Sequence, residues 1–83
     1  MQDHLLYEVI HFYNPNGNIR SKEYFINHKL HREDGPAIIL YDEDKNIMYK
    51  GYWINGVQLT EKEWYSQLSR ENKLKITFGL DND

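Results

Sequence analysis

The chain contains no cysteine, which excludes disulfide staples, thiolate zinc sites and cysteine nucleophiles. No apolar run approaches the roughly 18 residues that a membrane span needs. The stretch from Met1 to Glu8 lacks the basic and apolar regions of a signal peptide. Basic charge is not in excess either. Ten Lys and Arg against 13 Asp and Glu give a formal net charge of −3 and a pI near 5.7. A dedicated duplex-DNA or RNA binder usually carries a basic domain or stripe, so this balance argues against one. The expectation is a small cytoplasmic domain of 83 residues. Domains of that size bury only about 60% of the surface their unfolded chains expose.

Alanine is almost missing: Ala37 is the only one, beside eight Ile, seven Tyr, three Phe and two Trp. Alanine is the best helix former, whereas β-branched and aromatic residues fit a pleated, half-buried surface. Composition therefore leans towards sheet.

Self-comparison shows a repeat. A shift of 28 residues lays 10–27 over 38–55 without a gap, with eight identities in 18 positions. They include Tyr13/Tyr41, Asn18/Asn46, Lys22/Lys50, Tyr24/Tyr52 and Asn27/Asn55. Chance would give roughly one, from average residue usage. Each copy reads as strand, polar turn, strand, turn. Asn14-Pro15-Asn16-Gly17-Asn18 and Asp42-Glu43-Asp44-Lys45-Asn46 are the first turns, and Asn55-Gly56 is a strong hairpin signal. The predicted fold is mainly β with added α (β+α): an antiparallel meander of four main strands. Its repeats span about 10–37 and 38–59 of a single domain over 1–83.

Alternation places Ile19, Ser21, Glu23 and Phe25 on one face, matched by Ile47, Tyr49, Gly51 and Trp53. Tyr24 and Tyr52 fall on the other. Neither face is cleanly polar, so one needs a cover. Thr60-Glu61-Lys62-Glu63 has the form of a capping box. It predicts a helix over 61–71 whose Trp64 and Leu68, four residues apart, face the sheet. Leu74-Lys75-Ile76-Thr77-Phe78 alternates and predicts a last short strand, with Asp81 to Asp83 fraying. The first strand, within Leu5 to Tyr13, has apolar residues on both faces and no lysine or proline to protect an edge. It is expected to pair with the last strand or with another chain, and a homodimer or partner complex is a natural outcome.

The joint between the copies reads Asn27-His28-Lys29-Leu30-His31-Arg32-Glu33-Asp34-Gly35-Pro36-Ala37. It resembles the N-G-K-L-H-R-x-D-G-P-A segment of MORN-variant-like β repeats, which recur in phage, giant-virus and bacterial proteins. The likeness covers about 10–59 and is most specific at 31–37. The second copy departs, running from Asn55-Gly56 through Val57-Gln58-Leu59 into the helix, and Asn27-His28 stands where Asn-Gly is usual. The resemblance implies a β-meander and interaction functions, with no catalytic residue to carry over.

Several groups invite a functional reading. His31, Arg32, Glu33 and Asp34 form a joint with a structural explanation: Gly35 permits a positive φ, Pro36 starts a strand, and Arg32 pairs with a nearby carboxylate. His28, Lys29, His31 and Arg32 could together serve as acid, base and phosphate stabiliser in RNA cleavage. The alternative is that the four histidines of the chain are mostly exposed surface groups. Asp42, Glu43 and Asp44 lie in a turn and could present an acidic patch to a basic groove. Tyr24 and Tyr52 belong to an aromatic ladder that suits sheet packing or an interface better than base stacking, which needs a positive groove. No metal or cofactor is expected. The leading expectation is a non-enzymatic module that binds another protein, with nucleic acid reached at most through that partner. Analogy narrows it to a phage-encoded inhibitor of a host defence complex, of the anti-CRISPR kind. The alternatives are a nucleotide- or oligonucleotide-sequestering protein and a small histidine-dependent ribonuclease.

Overall fold

The computed structural model describes residues 6–77. Six strands precede two helices: β1 (Glu8–Tyr13), β2 (Ile19–Ile26), β3 (Lys29–Leu30), β4 (Ile38–Tyr41), β5 (Ile47–Ile54), β6 (Val57–Leu59), α1 (Glu61–Gln67) and α2 (Arg70–Thr77). All strand pairs are antiparallel. The spatial order is β1-β2-β4-β5-β6, with β3 pairing to β2. The β+α meander is therefore present, with β3 and β6 as two short strands beyond the four main ones.

The repeat extends to the backbone. β5 reproduces β2 at the 28-residue spacing, and the register shifts at Phe12/Tyr13 and again at Leu40/Tyr41. The first turns are closed alike: Asn14 N–H donates to Asn18 O at 2.8 Å, and Asp42 N–H to Asn46 O at 2.9 Å. Gly17 (φ 89°) and Lys45 (φ 68°) hold the same left-handed position. The second turns match too, Asn27-His28 (φ 52°, 65°) against Asn55-Gly56 (φ 50°, 80°). Two positive φ values in a row are the type I′ hairpin geometry, whose twist suits the flanking strands. Gly35 is not among the positive-φ residues. It is buried in a bend, so the left-handed role expected of it belongs to Gly17 and Gly56.

The capping box forms as the sequence requires. Thr60 Oγ1 accepts from Glu63 N–H at 3.1 Å, and Glu63 Oε1 accepts from Thr60 N–H at 2.9 Å. Trp64 is 2% exposed and Leu68 7%. The helix nevertheless ends earlier than 71. Leu68 is extended (φ −73°, ψ 155°) and Ser69 starts a new helix. Its hydroxyl accepts from Asn72 N–H at 3.2 Å, the bond of an N-cap serine. The strand expected from Leu74 is thus corrected to helix through Thr77, and Phe78 lies outside the described residues. A short alternating run is ambiguous. A helix capped by Ser69 satisfies its own backbone without a neighbouring strand.

Burial is uneven. Ala37 and Ile39 are fully enclosed, and Ser21, His31 and Arg32 are buried polar residues beside them. β1 is exposed along its whole length. The core thus gathers around the joint and α1, while the turn ends of β1, β4 and β5 project from it.

Candidate functional site

The joint threads between the two copies and is bonded to both. His31 N–H donates to Tyr24 O at 3.1 Å in β2, and Arg32 N–H to Trp53 O at 3.1 Å in β5. Ala37 N–H donates to Gly51 O, and Tyr24 N–H to Ala37 O, both at 2.8 Å. The side chains continue this pattern. His31 Nδ1 accepts from Asn55 N–H at 2.9 Å. An acceptor nitrogen carries no proton, so Nε2 is the protonated one and donates to Glu33 Oε2 at 2.8 Å. Both ring nitrogens are occupied.

Arg32 is spent in the same way. Its Nε donates to Asp34 Oδ1 at 2.8 Å and an Nη to Pro36 O at 3.2 Å. The guanidinium lies 3.9 Å from the centroid of the Tyr24 ring. Charge-assisted bonds and the ring face together compensate a cation that is only 4% exposed. Its carbonyl accepts from the Trp64 indole N–H at 2.7 Å, which ties α1 to the joint. Glu33 N–H donates to the Tyr7 hydroxyl oxygen at 2.9 Å. Tyr7 in turn stands edge-on to Tyr24 at 5.9 Å between centroids. Burial pushes the Tyr7 phenol up to about 12, with Asp34 and Glu33 adding to the rise and the Glu33 N–H and Arg32 opposing it.

The candidate residues thus sort by depth. His31 and Arg32 are buried, Glu33 and Asp34 half-buried beside them, and His28 and Lys29 exposed in the β2–β3 region. The foursome proposed for RNA cleavage is split between core and surface. Of the histidines expected to be mostly exposed, His11 and His28 are exposed, whereas His31 is internal because both its nitrogens find partners there. His4 lies outside the described residues. Among the described residues no three His, Asp or Glu side chains converge as a metal site would require.

Tyr24 and Tyr52 occupy equivalent positions and play equivalent parts. Tyr24 receives Arg32 on its ring, and Tyr52 receives Trp64 at 4.7 Å between centroids. Each copy's tyrosine is a platform for the segment that follows it. Asp42 is turned inward on its own turn, its Oδ1 accepting from Asp44 N–H at 2.8 Å and Asn46 N–H at 2.9 Å. Glu43 and Asp44 remain exposed.

The surface that sequence reasoning passed over is the other face of the sheet. Register sets Phe12, Ser21, Leu40 and Tyr49 in one row across four strands, with Ile10, Glu23, Ile38 and Gly51 in the next. Ring contact with Tyr52 puts α1 on the opposite face, so these rows lack that cover. Ile10, Phe12, Ile47 and Tyr49 are 39–43% exposed. A shallow groove of about 390 Å3 runs there, lined by Phe12, Ser21, Glu23, Leu40 and Tyr41 among others. The signal was available: alternation had already put Ile19, Ile47 and Tyr49 together. What was missing was the side on which the helix would settle. No family model, curated protein or solved structure matches the chain.

Proposed function

We propose that the protein is a non-enzymatic binding module that docks a partner protein on the uncovered face of its sheet. One observation carries the reading: the His31 and Arg32 side chains are consumed inside the joint, while apolar side chains on the opposite face of the sheet stay exposed. His31 and Arg32 have their polar atoms engaged by neighbours. Ile10 and Phe12 on β1 and Ile47 and Tyr49 on β5 present exposed apolar surface, with half-buried Leu40 and buried Ser21 between them. Aromatic and aliphatic residues at the centre of a patch with a charged rim are ordinary interface anatomy. The acidic turn at Glu43 and Asp44 adjoins one end of that face, so a complementary partner carries an apolar patch flanked by Lys or Arg. The narrower expectation, an inhibitor of a host defence complex, is supported by the repeat resemblance alone.

Affinity capture from cell lysate tests the reading. The wild-type chain is expected to retain a discrete protein, and Ile47→Glu to lose it without unfolding. Exchange of Glu43 and Asp44 for Gln and Asn is expected to weaken capture most at low salt. Equal capture by Ile47→Glu would remove the face from consideration. RNA cleavage by purified protein, abolished by His28→Ala, would replace the reading with an enzymatic one. His28 is the residue to change because it is exposed, whereas loss of His31 would also disturb the core.

A further inference from the structure

The repeat leaves two unfinished edges that match each other. β1 pairs with β2 on one side, and no described strand lies on its other side. β5 pairs with β4 along Ile47–Gly51, but on the far side β6 covers only Tyr52–Ile54. The lower half of that edge is therefore open among the described residues, and Met48 and Tyr49 on it are 64% and 43% exposed. Unpaired strand edges are templates for another strand.

The occupant is written into the chain. β4 is the counterpart of β1, and β5 the counterpart of β2, at the 28-residue spacing. The chain already joins a second strand to a first strand once, at β2–β4: Ser21 faces Leu40, Lys22 faces Ile39, and Glu23 faces Ile38. Carrying that junction forward by one repeat puts β1 of a second copy on β5. Tyr49 then faces Phe12 of the second copy, Lys50 faces its His11, and Gly51 faces its Ile10.

We propose that the protein assembles head to tail with itself through this β5–β1 junction, each new chain extending the sheet by two repeats. This goes beyond the proposed function, because it uses the sheet's edges rather than a partner protein, and it draws Phe12 and Tyr49 of the open face together across the junction. The row Phe12, Ser21, Leu40, Tyr49 continues into Phe12 of the next chain, adding an aromatic cross-strand pair, a favourable kind of contact. Side chains along β1 and at Ile47 to Lys50 of β5 are exposed, whereas Gly51 is buried beside the Tyr49 ring, whose hydroxyl accepts from Gln58 Nε2 at 3.1 Å. A junction between two different surfaces does not close at two chains; it propagates unless the rotation forms a ring.

Sedimentation equilibrium of the full chain from low micromolar to near-millimolar concentration tests this directly. The weight-average mass is expected to climb past twice the monomer mass without levelling at the dimer. A monomer throughout would overturn the proposal, and so would a plateau at two chains, the mark of a symmetric β1–β1 pair. Phe12→Lys disables one edge and Tyr49→Lys the other, and each alone is expected to weaken association roughly five-fold or more. Mixed in equal amounts, the two variants retain one intact junction and are expected to stop at a 1:1 heterodimer. A mixture no more associated than its components would refute the register. Should either variant fail to fold, amide exchange of the wild type decides. Lys50 and His11 amides are expected to gain protection with concentration, and unchanged exchange would count against the junction.

Discussion

Removing the indole of Trp64 tests whether the joint and the helix form one core. Trp64 is 2% exposed, packs on Tyr52 and donates to the carbonyl of Arg32. Trp64→Ala removes the ring contact and the hydrogen bond together and is expected to cost about 3–5 kcal/mol. Trp64→Phe keeps an aromatic ring near Tyr52 but leaves the buried Arg32 carbonyl short of a donor, at about 1–3 kcal/mol. A domain of 83 residues has roughly 4–12 kcal/mol of stability in all. The alanine variant should therefore lose about 15–30 °C in Tm, from the usual dependence in small domains. Urea titration followed by circular dichroism and by the remaining Trp53 reports both changes. A loss below about 1 kcal/mol for Trp64→Ala would refute the reasoning, because α1 would then not be covering the sheet.

Arg32→Met should destabilise the fold by about 1.5–3 kcal/mol, because the half-buried Asp34 and the Pro36 carbonyl lose a charged donor. Adding Asp34→Asn should recover part of that loss in the same urea titration. His28→Gly and Lys45→Gly should each stabilise by about 0.5–1 kcal/mol, because both residues hold the left-handed backbone that Gly56 and Gly17 hold in the other copy; a lower Tm in both would show that those turns are not strained. Tyr7, raised to about 12 in the fold, keeps its proton after the unfolded chain loses one near 10. Its contribution is full below pH 10 and lost as the pH climbs to 12. About 1–2 kcal/mol is at stake once solvent access to a half-buried phenol is allowed for. Tyr7→Phe should flatten that alkaline slope, and an unchanged slope would contradict the burial.

Strands, turns and the cap were legible because each rests on local chemistry. Asn55-Gly56 dictates a tight turn, Thr60 and Glu63 cap a helix within four residues, and alternation marks the paired faces. Ser69 was legible in principle, as a serine three residues before Asn72, but a continuous helical pattern through 61–71 masked it. The site was less legible because depth is a tertiary property. Nothing in His31-Arg32 says that Asn55 and Trp64, 24 and 32 residues away, will enclose it. Tyr7 was passed over for the same reason: its partner Glu33 is 26 residues distant. The open face was hidden by a two-fold ambiguity, since either side could have taken the helix.

The way bonds converge on 31–37 also bears on how the chain folds. Both hairpins close over a few residues and need no help from the rest, so they can form on the microsecond scale. Joining them is different. Glu23 must meet Ile38, Glu33 must find Tyr7, and the Arg32 carbonyl must wait for Trp64. The last two close loops of 26 and 32 residues, at a larger entropic cost than the hairpins, and both end on one short segment. That segment is the expected nucleus of the transition state. Substitutions at Arg32 and Ala37 should slow folding, whereas Phe12→Ala and Ile47→Ala, at the turn ends, should act mainly on unfolding. A chevron in which Arg32→Met changes only the unfolding limb would place the joint late on the pathway, as a clasp closed over a sheet already made.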